Sequence, residues 1–151
     1  MAAIAFRPAT ADDDLDRVER LLDGAGLPTS DVRAGNARFF LAVDDGSVVG
    51  VGGFEAVGSA GLLRSVAVDF GRRGEGVGTA ICREVESRAA EAGVERLFLL
   101  TETAVGFFAD LGYARRDRSM VPPAVRETPE FAELCPDTAV CMAKRLDHSV
   151  E

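Results

Sequence analysis

Val68-Asp69-Phe70-Gly71-Arg72-Arg73-Gly74-Glu75-Gly76-Val77-Gly78-Thr79 is the stretch that decides the fold of this chain. It follows an apolar run, Leu62 to Val68, that reads as a strand, and it opens a segment from Gly76 that reads as a helix. Glycines at such a junction let the backbone approach a ligand closely and take conformations that a Cβ would forbid. The start of the following helix offers unpaired N–H groups and the positive end of a dipole, which suit a pyrophosphate. Arg72 and Arg73 add positive charge for phosphate groups. A nucleotide P-loop would end in Gly-Lys-Ser/Thr, and Gly76-Val77-Gly78 stands there instead. A glycine turn that merely packs tightly stays open at this point.

Working outward from the loop, the preceding residues read as three strands in quick succession. Arg38 to Val43 and Val48 to Ala56 form a hairpin about Asp44-Asp45-Gly46-Ser47, and a Gly58 to Gly61 turn leads into Leu62 to Val68. Links this short force antiparallel pairing, because a parallel crossover needs about a dozen residues or more. A dinucleotide fingerprint, which opens the first βαβ unit of a parallel sheet, therefore does not fit. Further back, Ile4 to Phe6 reads as a first strand, and Thr10-Ala11-Asp12-Asp13 as a capping-box-like helix start. Leu15, Val18, Leu21 and Leu22 fall on one face of that helix, which Gly24 or Gly26 stops; Leu27 to Asp31 could begin another.

Downstream, the helix from Gly76 runs through Ile81, Val85 and Ala89 to Gly93. A strand at Arg96 to Thr101 and a short helix at Ala104 to Leu111 follow. A strand near Tyr113 to Arg118, a proline-marked segment and a last strand near Thr138 to Lys144 complete the chain. The expected class is α+β: a mixed, mostly antiparallel central sheet flanked by helices, with one βαβ unit. No repeat, low-complexity tract or linker interrupts residues 1–151, which read as a single domain.

The net charge is -8 and Lys144 is the only lysine among 17 basic residues, so no broad basic surface for nucleic acid is expected. No apolar run approaches the roughly 20 residues that span a bilayer. The first residues, Met1 to Pro8, show no basic head and apolar core, which makes the cytoplasm the expected compartment. Cys82, Cys135 and Cys141 lie in no metal-ligand spacing and His148 is the only histidine, so no metal is expected and the thiols read as buried and reduced.

The loop now carries a resemblance. Arg73-Gly74-Glu75-Gly76-Val77-Gly78 matches the Arg/Gln-x-x-Gly-x-Gly/Ala loop of GNAT N-acetyltransferases, directly after a strand ending Val66-Ala67-Val68-Asp69. A second match follows in order: Leu97-Phe98-Leu99-Leu100-Thr101, then Ala104-x-x-Phe107-Phe108-x-x-x-Gly112-Tyr113. The resemblance implies acetyl-CoA as cosubstrate, with the amides of Gly74, Glu75, Gly76, Val77, Gly78 and Thr79 on its pyrophosphate. Arg72 and Arg73 stand beside them, Val66, Ala67 and Val68 pair with the pantetheine arm, and Phe107 and Phe108 border the cofactor. It also implies direct transfer in a ternary complex, with a backbone N–H at about Val68 polarising the thioester carbonyl.

Leu62 to Val68, Leu100-Thr101-Glu102-Thr103-Ala104 and Phe131-Ala132-Glu133-Leu134-Cys135-Pro136 are similar to a narrower group. It holds ArsN-type arsenic-resistance acetyltransferases and the acetyltransferase domain of N-acetylglutamate synthases. The implied acceptor is glutamate or an analogue such as arsinothricin or phosphinothricin. By strand alternation, Leu62, Arg64, Val66 and Val68 should share one face, which makes Arg64 a cation among apolar neighbours. It would hold a substrate carboxylate or an internal Asp or Glu. Thr101 and Thr103 are candidate substrate ligands, Thr103 equally a helix cap.

Glu55, at the end of Val51-Gly52-Gly53-Phe54-Glu55, is the candidate base or a solvated strand-end charge. Phe108 stands where many family members carry a tyrosine acid, and Tyr113 more naturally packs in the next strand. With one tail histidine, no covalent acyl-enzyme machinery can be assembled. The segment Val121 to Pro136 looks long enough to close over a small amine substrate. A protein lysine or N-terminal acetyltransferase and a non-catalytic acetyl-CoA sensor remain as alternatives, and exposed strand edges leave a homodimer open.

Overall fold

The fold is that of a computed structural model, which describes residues 4–27, 29, 32–33, 37–128 and 139–146. Seven strands form one sheet in the order β1-β2-β3-β4-β5-β7-β6. They are β1 (Ile4–Pro8), β2 (Arg38–Asp44), β3 (Ser47–Val57), β4 (Ala60–Val68), β5 (Arg96–Thr101), β6 (Ala114–Arg115) and β7 (Val140–Arg145). Every neighbouring pair is antiparallel except β4 with β5, the pair bridged by the long helix α2 (Val77–Glu91). The α+β expectation therefore holds, and the glycine loop sits inside the βαβ unit. Among the described residues no helix is long and apolar enough to cross a membrane.

Residues at four-residue spacing place α2 on the sheet: Val77, Ile81, Val85 and Ala89 are all buried. Burying side chains the size of Ile81 or Val85 stabilises by about 1.5–3 kcal/mol each. The close approach needs a strand without side chains beneath it. A Cβ on Gly52 would stand 2.3 Å from the Ile81 Cγ2 atom, so a larger residue there would push the helix off β3. The short helix α3 (Val105–Asp110) lies on the same face, its Phe108 packed edge-on to Tyr113 at 5.7 Å.

The opposite face is covered at two places. Helix α1 (Asp12–Gly24) packs Val18 and Leu22 against Phe39, Leu41, Val51 and Ala67. The short α4 (Pro123–Arg126) packs Val125, with Val121, against Leu62, Phe98 and Cys141.

Several boundaries differ from expectation. Helix α1 has Ala11, not Thr10, at its N-cap and no side-chain cap, so its start rests on the acidic first turn of Asp12, Asp13 and Asp14 against the dipole. The Gly58 to Gly61 turn shrinks to Gly58-Ser59, because Ala60 and Gly61 already pair with Val57 and Ala56. The strand expected at Tyr113 to Arg118 is only Ala114–Arg115; Asp117 caps a 3-10 turn at Arg118–Met120 by accepting from the Ser119 N–H at 2.9 Å. Of the Leu27 to Asp31 helix only Leu27 and Thr29 are described, and neither is helical; Phe131 to Pro136 with Cys135, Thr138 and His148 lie outside the described residues.

The largest correction concerns β4. Arg64 pairs with Gly53 and Ala67 with Val51, so Ser65 and Val66 together stand opposite Gly52. This bulge puts Ser65 at φ 62, a left-handed conformation, and it switches the alternation. Leu62 belongs to the cluster under α4, whereas Val66 and Val68 pack against the cluster under α2. Arg64 therefore shares a face with Leu62 but not with Val66 and Val68.

Candidate functional site

Strands β4 and β5 pair only from Ala60–Leu62 with Arg96–Phe98. Beyond Leu62 they separate, and the gap between them is the floor of a cleft of about 1160 Å³. Its walls come from β4 (Leu63 to Val68), the glycine loop and first turn of α2 (Arg72 to Thr79), the β5–α3 link (Leu99 to Ala104) and Phe107 and Phe108. The cleft gathers Arg64, Val66, Ala67, Val68, Arg72, Arg73, Gly74, Gly76, Val77, Gly78, Thr79, Thr101, Thr103, Phe107 and Phe108. Glu55 and Glu75 do not line it.

At the loop end, Gly76 is the N-cap of α2 at φ 86, and Gly74 stands at φ 83. Both conformations are costly for any residue with a Cβ. The first helical bond runs from the Ala80 N–H to the Gly76 carbonyl at 3.1 Å, and no side chain caps the turn. The amides of Val77, Gly78 and Thr79 thus precede the helical ladder at the wall of the cleft. Together with the helix dipole they form an anion cradle. Arg73 lies over the exposed Phe70 ring at 5.0 Å, and its Nε donates to the Val68 carbonyl at 3.4 Å. Arg72 is held by Asp44 and Glu75, each at 2.6 Å.

The strand edge adds a directed donor. The Asp69 N–H bonds the Val49 carbonyl on the β3 side at 2.8 Å. Alternation then turns the Val68 N–H to the other side, toward the cleft. This edge therefore offers an anion site at the loop and backbone donors and acceptors along β4 to an extended ligand. Among the described residues no group of three or more His, Cys, Asp or Glu could hold a metal ion.

Arg64 is the buried cation of the cleft, 3% exposed. Its Nε donates to the Ser65 Oγ at 3.1 Å and its guanidinium lies 5.8 Å from the Phe39 ring. Glu55 is also buried and pairs with Leu62 while Gly53 pairs with Arg64, so the two charged residues are diagonal neighbours on one face. Thr101, not Thr103, serves the start of α3: its Oγ1 accepts from the Ala104 N–H at 3.1 Å. Glu102, Ser65 and Asp23 also line the cleft. Ser65 was concealed by its bulge, and Asp23 by tertiary packing that brings the end of α1 over the cleft.

Tyr113 is turned away from the cleft. Its hydroxyl donates to Glu86 at 2.9 Å, and Lys144 donates to the same carboxylate at 3.0 Å and to the Leu111 carbonyl at 2.9 Å. Burial, then the Glu86 charge, raises the Tyr113 pKa, which keeps the phenol neutral. Burial likewise pushes the Cys82 thiol up to about 12. A second cavity, of about 530 Å³, lies among Pro8, Leu15, Phe39, Phe40 and Arg88 and shares no lining residue with the cleft.

The sequence matches the model of the acetyltransferase (GNAT) family over residues 5–113. It is similar to the amino-acid acetyltransferase of Mycobacterium tuberculosis (strain ATCC 25618 / H37Rv), 35% identical over 106 residues. That alignment covers 69% of this chain and 57% of the relative, so the chain spans little more than half of it. Among solved structures, N-acetylglutamate synthase from Neisseria gonorrhoeae, complexed with coenzyme A and L-arginine, superposes with a TM-score of 0.78 at 18% identity. The match takes in 97% of this chain and 34% of that one. Rv2747 from Mycobacterium tuberculosis, in complex with CoA and NLQ, gives 0.78 at 23% identity over 94% and 99% of the two chains. At these identities the structural likenesses bear on the fold alone.

Proposed function

Because the chain belongs to the acetyltransferase (GNAT) family, we propose that it is an N-acetyltransferase acting on the amine of a free, glutamate-like amino acid. One observation carries the substrate class: a buried arginine, Arg64, lines the same cleft as the anion cradle, at the point where β4 and β5 part. A guanidinium in that setting recognises a carboxylate through two parallel N–H···O bonds. The curated relative named for amino-acid acetylation supports the same class. Within it, glutamate and its arsenic- or phosphorus-bearing analogues are the acceptors we favour, on the narrower ArsN-like resemblance of β4 and the β5–α3 link. Residues 1–151 would then work as one acetyltransferase unit in the cytoplasm.

Acetyl-CoA supplies the activated acetyl thioester. The chain's own part is to hold the ends of two substrates together in one cleft, which is where much of the rate arises. The amides of Val77, Gly78 and Thr79, with Arg73, hold the pyrophosphate, while the edge of β4 from Val66 to Val68 aligns the arm. The Val68 N–H points toward the cleft and stabilises oxyanion charge as the neutral amine adds to the carbonyl carbon. The tetrahedral adduct collapses with loss of the thiolate, and the amine gives up its proton. Glu55 does not line the cleft, so it would receive that proton only through water. Glu102 does line it and is the second proton acceptor we consider. Thr101 is engaged by the Ala104 amide, which leaves Thr103, on the cleft wall, the freer of the two threonines for substrate.

CoA release from acetyl-CoA, measured with glutamate, phosphinothricin and arsinothricin, tests this reading. Glutamate is set against isoglutamine, in which the α-carboxylate is an amide. Turnover with one of the acids and a fall of about tenfold or more in kcat/KM for Arg64→Ala is expected, with the preference over the amide lost. Acetyl-CoA binding without turnover of any of them would remove the substrate class.

A further inference from the structure

We propose that Arg72 acts as the centre of a brace, Asp44–Arg72–Glu75, rather than as a phosphate ligand. That makes Asp44 a remote positioning residue for CoA. The inference rests on the acetyl-CoA reading of the cleft and adds to it a residue from outside the phosphate loop.

The geometry is specific. The Arg72 Nε donates to the Glu75 Oε1 at 2.6 Å, and a terminal nitrogen donates to the Asp44 Oδ2 at 2.6 Å. Glu75 is three residues along the loop, but Asp44 is 28 residues back in sequence, at the tip of the β2–β3 hairpin. The Asp44 contact is the more sheltered of the two, with side-chain exposures of 26% for Arg72 and 16% for Asp44, against 51% for Glu75. Two backbone bonds run the same way: the Arg72 N–H to the Asp69 carbonyl at 2.9 Å, and the Asp69 N–H to the Val49 carbonyl at 2.8 Å.

The loop needs such an anchor. Between the end of β4 and the start of α2 it carries Gly71, Gly74 and Gly76, which the unliganded chain would otherwise leave free to sample many conformations. An ion pair to a hairpin that is itself hydrogen-bonded into the sheet fixes the loop before CoA arrives, which reduces the ordering cost of binding. The charge count agrees. One guanidinium between two carboxylates leaves the group at net -1, so it adds no attraction for phosphate. The attraction falls to the amides of α2, the helix dipole and Arg73, which has no carboxylate partner among its described contacts.

The test is calorimetric binding of CoA to the full chain, with wild type, Asp44→Asn, Arg72→Gln and the double variant. A brace predicts that each single change weakens CoA about three- to tenfold, and that the double variant is no worse than the weaker single. The Asp44→Asn enzyme should show a raised KM for acetyl-CoA with an unchanged kcat and an unchanged KM for the acceptor, a split that general misfolding would not give. The salt dependence of CoA affinity should be the same for wild type and Arg72→Gln, because no Arg72–phosphate contact is lost. Tighter binding by Asp44→Asn would overturn the proposal, since freeing the guanidinium would then have supplied a phosphate ligand. So would a flattened salt dependence in Arg72→Gln. A wild type that binds no CoA would reject the acetyl-CoA reading instead. The brace is then decided by hydrogen exchange at the amides of residues 70–79: faster exchange in Asp44→Asn upholds it, and unchanged exchange overturns it.

Discussion

The two ends of the β4–β5 pair are built from the same strands and do opposite work. At the closed end, Ala60 to Leu62 pair with Arg96 to Phe98, and Leu62 and Leu97 are fully buried. At the open end, the bulge at Ser65 turns β4, its far edge loses its strand partner, and the half-exposed Val66 and Val68 line a cleft as well as packing against the core under α2. The closed end spends its backbone polar groups on the sheet, while the open end leaves a donor such as the Val68 N–H facing the cleft. Stability and binding should therefore separate along a single pair of strands.

The sharpest way to break that comparison is at the closed end. Leu97→Ala removes a fully buried side chain and should cost about 3 kcal/mol, or on the order of 10 °C in Tm for a chain of this size. CoA affinity at permissive temperature should change little, and thermal melts beside calorimetry check both. A large loss of affinity with little change in Tm would show that the two ends are not separate. The mirror-image change, Gly76→Ala at the open end, meets no neighbour within 4 Å but forces a Cβ onto φ 86. That costs about 1–2 kcal/mol of local conformation, so CoA should bind roughly tenfold more weakly, with Tm lowered by only a few degrees.

Alkaline pH gives a smaller test of the closed side. The Cys82 thiol has an ordinary pKa of 9.0 and is pushed up to about 12 by burial, so the folded state holds its proton more tightly than the unfolded state. By linkage this contribution is complete below pH 9 and disappears as pH rises from 9 toward about 12. Tyr113 is raised in the same direction. Urea titrations from pH 8 to 11 should show declining stability, less steep in Cys82→Ala. A decline of equal slope in that variant would mean that Cys82 is not the group titrating.

Local patterns made most of the fold legible in advance. Val77, Ile81, Val85 and Ala89 announced α2, short links announced the meander, and the loop glycines located the cleft. The errors share a physical cause. The face of Arg64 was misread because strand alternation assumes an unbroken ladder, and no residue type marks a bulge at Ser65, whose φ of 62 is imposed by pairing with β3. The ion pair of Arg72 to Asp44, 28 residues distant, is likewise invisible to a local reading that sees only its neighbour Arg73. Glu55 reads equally as a base or as a solvated strand-end charge, and the solvated reading fails because its side chain is buried on the face it shares with Leu62, outside the cleft lining. Thr103 looked like the cap of α3, but the donor is Ala104 and the chain curls back to Thr101.

The smallest expected effect on turnover concerns Tyr113, and it decides whether the missing hydroxyl at Phe108 is replaced from nearby. Tyr113 is 3% exposed, and its hydroxyl donates to a Glu86 carboxylate that also accepts from Lys144. If it only packs and hydrogen-bonds there, Tyr113→Phe removes one hydrogen bond to a charged acceptor and costs about 1.5–3 kcal/mol of stability. The pH profile of kcat should then be unchanged, because a phenol bonded to a carboxylate on the far side of Phe108 has no route to the leaving thiolate. A fall in kcat that is rescued toward low pH would instead make Tyr113 a proton donor, and Phe108 would have to swing aside to admit it. The edge-on contact of the two rings at 5.7 Å, inside the cluster that holds α3 on the sheet, argues against that motion. Product protonation is then left to water, which the modest basicity of a departing thiolate permits.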